Sequence, residues 1–184
     1  MKHLIYIIIG IAAFMGCTKK PTVVVEPLSQ QSPDFSVDSA LTYIADQCSY
    51  GPRTMNSVAH DSCGDYIARQ FRRFGTVVTD QRMTLTLYDG TPVSARNIIA
   101  SIDTANPVRV IVCAHWDSRP WADHDPDAGL RRQPIDGAND GAAGVGILME
   151  IARQLHQNNP NIGVDLICFD VEDYGPPQDE TYNT

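Results

Sequence analysis

Four residues at the ends of apolar runs have the types and spacing to do chemistry together: His115, Asp140, Glu172 and Asp173. His115 closes VRVIVCAH, Asp140 lies in GANDGAAG, and the other two follow VDLICF in the stretch CFDVEDYG. Asp170, Glu172 and Asp173 crowd like charges, and burying carboxylates without a partner is costly. They either face water or surround something positive. An imidazole with carboxylates at an open site suits zinc in a catalytic role better than calcium, which prefers oxygen ligands alone. Adjacent Glu172 and Asp173 point differently, so one can bind metal while the other stays free as a base. Each residue also has a plainer reading: a hydrogen-bonded strand end for His115, a favourable helix-start charge for Asp140, a solvated loop for the acidic pair. Only their convergence on one edge favours a site.

That convergence requires a particular topology. VRVIVCAH reads as a short apolar strand, followed by a polar loop from Trp116 to Asn139. A helix over 140–159 carries Leu148, Ile151 and Leu155 on its core face, and VDLICF is a second strand suited to cover on both faces. Strand, helix, strand in this order predicts a right-handed crossover and a parallel pair. Ligands of such sheets bind at the carboxyl ends of the strands, where all four residues fall. Upstream, Asp34 or Ser36 can cap a short helix with Val37, Leu41 and Ile44 on one face. After a Gly-Pro break at 51–52, a second helix over about 57–74 carries Cys63, Tyr66, Ile67, Phe71 and Phe74, with Gly75 as its stop. The period then changes to two around an Asp89-Gly90 hairpin turn. The expected fold class is α/β, a mixed, largely parallel sheet with helices on both faces.

Charge narrows the partners. The formal net charge is −8, and from His115 onward thirteen Asp or Glu face four Arg and no Lys. A phosphate backbone would be repelled, so nucleic acid is excluded as the expected partner and a cation is favoured. At the N-terminus, Lys2 precedes the apolar run 4–14, too short to span a bilayer comfortably and better read as a signal peptide. It ends in FMGC, which resembles a bacterial lipobox and implies cleavage before Cys17 and its lipidation; the alternative is an ordinary secretory signal. Residues 1–17 are thus an expected signal peptide with lipobox, 18–33 a Pro-, Ser- and Gln-rich linker, and 34–184 the folded domain. Cys48 and Cys63 can pair in an exported compartment if their helices pack. Cys113 and Cys168, inside strand patterns, are expected to be buried free thiols.

The segments AHWDSRPWAD, PIDGANDGAAGVGILMEIAR and FDVEDYGPPQD resemble glutaminyl cyclases (glutaminyl-peptide cyclotransferases) of the bacterial, animal-like zinc type. Those enzymes share a fold and ancestry with zinc aminopeptidases. The resemblance runs from about residue 36 and includes GPR at 51–53. It implies Asp140 and Asp173 as zinc ligands, Glu172 as general acid and base, and His115 as a further metal or site residue oriented by Asp117. Trp116 and Trp121 are candidates for the substrate pocket, with core packing weighed at least equally.

The implied activity is conversion of N-terminal glutamine of peptides or proteins to pyroglutamate, with release of ammonia. The family's third zinc ligand is a histidine in a later part, whereas no histidine follows His156 here. The resemblance therefore implies the N-terminal part of a truncated enzyme, inactive by itself. A zinc aminopeptidase and a non-catalytic binding lipoprotein are the alternatives. If Cys17 carries the anchor, the exported protein partitions with membranes and Cys17→Ser releases it to the soluble fraction; equal membrane association of the variant would refute the lipid anchor.

Overall fold

The computed structural model describes residues 34–159 and 161–178; the leader, Cys17, the linker and the tail 179–184 lie outside the described residues. No helix among those described is long and apolar enough to cross a membrane. The elements run α1 (Val37–Cys48), α2 (Val58–Arg73), β1 (Val77–Thr86), β2 (Pro92–Ile102), β3 (Arg109–His115), an irregular turn at Ala138–Ala142, α3 (Ala143–Gln157) and β4 (Gly163–Phe169).

The four strands form one sheet in the order β1-β2-β4-β3. β1 and β2 are the antiparallel hairpin, β2 and β4 also run antiparallel, and β3 pairs parallel to β4 with His115 opposite Phe169. The sheet is mixed, and among the described residues its parallel part is the β3–β4 pair joined by α3. Ile98, Ala100, Val164, Leu166 and Cys168 enter a core shared with α2 and α3. The alternate residues Ile99, Ile111, Cys113, Ile167 and Phe169 are exposed or half-buried on the other face. The described helices thus cover one face, where the sequence pattern put them on both. Cys113 is correspondingly exposed rather than buried, while Cys168 is buried on the core face. Cys48 and Cys63 are both free, so the pairing that packed helices would allow is not made. Cys63 belongs to the core, and the Cys48 sulfur lies 3.9 Å from the Asp136 carbonyl oxygen.

Local chemistry accounts for the helix ends. Of the two candidate caps of α1, Ser36 is used, its hydroxyl accepting from the Ser39 amide. Ser57 caps α2 in the same way, and Gly75 ends it at φ 72. The expected apolar stripe of α2 is buried, but that of α1 is not: Val37 is 62% exposed and Leu41 56%. A Cβ on Gly146 of α3 would stand 2.8 Å from Ile44 Cγ1 and 3.0 Å from the Ala40 carbonyl oxygen. That close approach selects Ala40, Ile44 and Gln47 for the contact and turns Val37 and Leu41 outward.

Glu150, buried on α3, fastens this corner. It accepts from the Ser36 amide (2.9 Å), Gln154 Nε2 (2.9 Å), and Arg153 Nε (2.6 Å) and Nη2 (2.7 Å). Arg153 above all holds its pKa down to about 2, against an ordinary 4.5. The carboxylate therefore contributes stability that is fully present above about pH 4.5 and lost as pH falls toward 2. Glu150→Gln is expected to cost on the order of 2 kcal/mol at neutral pH and to flatten the stability curve across that acid window. Urea unfolding across pH checks both, and a wild-type acid slope in the variant would contradict this role.

Candidate functional site

The parallel pair delivers the site. Beyond the last register pair, the Trp116 amide still donates to the Phe169 carbonyl oxygen (2.9 Å), so both chains leave the sheet side by side. Asp117, fully buried, then accepts from the backbone amides of Glu172 (3.2 Å) and Asp173 (3.1 Å). One carboxylate thereby holds the acidic turn against the end of β3. Its Oδ1 also lies 3.6 Å from His115 Nδ1, a charge contact longer than a hydrogen bond.

Asp140 arrives from the other side. It was expected to open the crossover helix, but α3 begins at Ala143, and Asp140 stands in the preceding turn in an extended conformation, φ −95 and ψ 110. Glycines on either side cause this. Gly137 and Gly141 adopt φ 57 and 90, and a Cβ on Gly141 would meet the Asp117 carbonyl oxygen at 2.6 Å. Only glycine lets the Asp140 turn approach the Asp117 loop so closely.

Arg53, buried in the GPR segment, closes the arrangement. Its guanidinium donates to the carbonyl oxygens of Trp116 (2.9 Å), Asp136 (2.7 Å) and Gly137 (2.9 Å), and its amide to Ser118 Oγ (2.8 Å). Gln47 assists by donating to the Ala142 carbonyl oxygen (3.0 Å). Sequence reasoning noted GPR only as part of a resemblance. A basic residue among polar loop segments gives no local sign that its partners lie in two loops far along the chain.

Ligand-capable atoms of His115, Asp140 and Asp173 all lie within 4.8 Å of one another. His115 Nε2 is 3.0 Å from Asp140 Oδ1, and its Nδ1 and Asp173 Oδ2 are buried without hydrogen-bond partners. The polar contact with Asp117, outweighing burial and aided by Glu172 and Asp140, pushes the His115 pKa up to about 9. Burial first, then the charges of Asp140 and Asp117, push the Asp173 carboxyl up to about 6. Crowded acids and a stranded carboxylate oxygen fit a positive ion, and imidazole nitrogen with carboxylate oxygens is a suitable donor set. Glu172 is different: its side chain is 63% exposed, against 13% for Asp173, and its Oε2 lies 3.6 Å from His115 Nδ1. The two neighbouring carboxylates occupy separate positions, one in the cluster and one beside it.

A cleft of about 440 Å³ opens beside the cluster, lined by Arg119, Trp121, Asp123, Ile135, Asp140 and Asp173, among others. Trp121 is therefore a wall of the cleft. Its indole N–H donates to the Gly175 carbonyl oxygen (3.3 Å), and the Arg132 guanidinium carbon lies 5.7 Å from the ring centroid. Trp116 is not a pocket residue: it is fully buried in the core, its indole N–H donating to the Arg96 carbonyl oxygen (3.1 Å). Arg119, which the sequence did not single out, pairs through Nε with Asp123 and donates to the carbonyl oxygens of Asp173 (3.1 Å) and Pro176 (3.0 Å). It braces the acidic turn from the cleft side.

The chain is similar to several known proteins. Residues 97–177 match the model of Peptidase family M28. A Zn-dependent exopeptidase from Parabacteroides distasonis superposes with TM-score 0.81 at 55% identity, covering 84% of this chain and 53% of that one. A Bacteroides thetaiotaomicron glutaminyl cyclase bound to N-acetylhistamine gives TM-score 0.81 at 48% identity, over 82% of this chain and 52% of that one. A leucine aminopeptidase precursor from the same organism gives 0.80 at 48% identity, with the same coverages. The chain is a relative of bacterial glutaminyl cyclases and zinc-dependent exopeptidases and has their mixed α/β fold. It spans about half the length of these structures and about a third of the curated relatives it matches.

Proposed function

We propose that this chain supplies the metal-binding and proton-transfer residues of a zinc-dependent glutaminyl-peptide cyclotransferase. The observation that carries the reading is the division of labour between neighbouring acids: Asp173 converges with Asp140 and His115, while exposed Glu172 stays outside their cluster. Asp140, Asp173 and His115 would hold the zinc ion, which supplies Lewis acidity toward a substrate carbonyl. Glu172 takes a proton from the α-amine of an N-terminal glutamine as its nitrogen bonds to the side-chain amide carbon. It returns that proton to the departing nitrogen as the carbon–nitrogen bond breaks and ammonia leaves. Asp117 keeps Glu172 in place through the backbone amide it accepts from. Trp121 and Ile135 give the cleft beside the cluster an apolar wall for the substrate chain.

Similarity at equal identity to a leucine aminopeptidase precursor supports a second reading, a zinc aminopeptidase in which Glu172 deprotonates water. Substrates separate the two. Ammonia release from Gln-initiated peptides should exceed hydrolysis of Leu-initiated ones in the protein containing this chain, and the reverse would favour the peptidase. The proposed setting is outside the cytoplasm, on a membrane through lipidated Cys17, with peptides or proteins bearing N-terminal glutamine as partners.

The roles of the two acids are separable by mutation. Asp173→Ala should lose zinc and activity together. Glu172→Gln keeps size and polarity but cannot accept the proton, so it should retain zinc while turnover falls by about a hundredfold or more. Elemental analysis beside ammonia release reads both. Zinc lost from Glu172→Gln and kept by Asp173→Ala would exchange the roles, and zinc kept by both would remove Asp173 from the metal site.

A further inference from the structure

A buried imidazole ties the two arms of the site together from behind. His60, in the first turn of α2, stacks on Trp116 with ring centroids 4.2 Å apart and planes 24° from parallel. Its Nε2 is 3.0 Å from both carboxylate oxygens of Asp170. The side chains of His60 and Asp170 are 2% and 0% exposed, and Trp116 is equally buried. Trp116 directly follows His115, and Asp170 opens the turn that carries Glu172 and Asp173. Gly64 keeps the space open, since a Cβ there would come within 3.0 Å of the Trp116 ring.

Asp170 uses both oxygens. It also accepts from the backbone amides of Arg96 (2.7 Å) and Val171 (3.0 Å), and Arg96 returns the link through its carbonyl oxygen to the Trp116 indole (3.1 Å). Next to it, Val171 sits at φ 65, a conformation a β-branched residue rarely adopts. Such a backbone persists only where its surroundings over-determine it. Here those surroundings are the Asp170 carboxylate on one side and packing against Met55, Leu87 and Val93 on the other.

We propose that His60 is a positioning residue for the site. Through Asp170 it holds the Val171 turn that aims Glu172 and Asp173, and through Trp116 it holds the end of β3 that aims His115. It is absent from the cleft wall and acts only through these neighbours. The proposal rests on the reading of Glu172 and Asp173 as site residues, and adds the device that sets their direction. A histidine that merely fills the core would affect the whole fold evenly.

Amide hydrogen exchange on the metal-free chain distinguishes the two. His60→Phe keeps a ring against Trp116 but has no donor for Asp170, whereas His60→Gln restores a donor at similar reach. Protection at residues 171–173 and 116 should fall roughly tenfold or more in His60→Phe, with 164–168 unchanged. His60→Gln should restore most of that protection. Asp170→Asn, a second lesion in the same link, should open the same amides if His60→Phe does not fold. Zinc titration should weaken by about tenfold to a hundredfold in His60→Phe and recover in His60→Gln. Unchanged protection at 171–173, or a loss that spreads equally through β4, would overturn the proposal. A wild-type chain that takes up no zinc would instead sink the zinc reading, and exchange would still decide the role of His60.

Discussion

The Arg53 guanidinium bridges the two loops that bring His115 and Asp140 together, and the rest of the site is built on that spacing. Its planar fork meets the carbonyl oxygens of Trp116, Asp136 and Gly137, so the segment leaving β3 and the turn bearing Asp140 are held at one spacing. The position is buried, and carbonyl oxygens there need donors. Neither a shorter cation nor a neutral side chain satisfies all three. The glycines at 137 and 141 matter for the same reason, since the loops can be drawn together only where no Cβ intervenes.

With the backbone braced, electrostatics defines what the site is for. Asp117 is spent on the amides of Glu172 and Asp173, and Arg119 on carbonyl oxygens of the same turn. Arg119 reaches the cluster itself only through a long contact, its Nη1 standing 3.9 Å from Asp173 Oδ1. His115 is left as the partner of Asp140, and Asp173 is left with a buried oxygen that no donor reaches. The proton affinity of both is raised, at His115 chiefly by Asp117 and at Asp173 chiefly by burial, with the charge of Asp140 adding to each. Backbone contacts from Asp117 and Arg119 keep those groups close despite that cost.

Much of this was legible in the sequence because it follows from period and chain order. Apolar runs ending in His115 and Phe169 set the parallel pair, and the ends of that pair collect Asp117, Glu172 and Asp173. The exceptions have physical causes that no local pattern carries. Trp116 could equally have lined a pocket or packed in the core, and a histidine and a glycine on α2 make a core slot for it. Val37 and Leu41 looked like a core face until Gly146 fixed which side of α1 lies against α3. Cys113 alternates onto the face that no described helix covers, and a strand run uniformly apolar does not reveal which face that is. Arg53 and Arg119 act through backbone carbonyl oxygens, which every residue possesses, so composition could not point to their partners.

The central claim is that the Arg53 brace assembles a zinc site from His115, Asp140 and Asp173. Zinc titration of the wild-type chain beside Arg53→Lys tests it most directly, with circular dichroism to establish that both are folded. Lysine keeps the charge but cannot span the carbonyl oxygens of both loops. The account predicts one zinc ion bound by the wild type and an affinity weaker by about tenfold or more in the folded variant. Equal affinities, or a folded wild-type chain that binds no zinc, would contradict it.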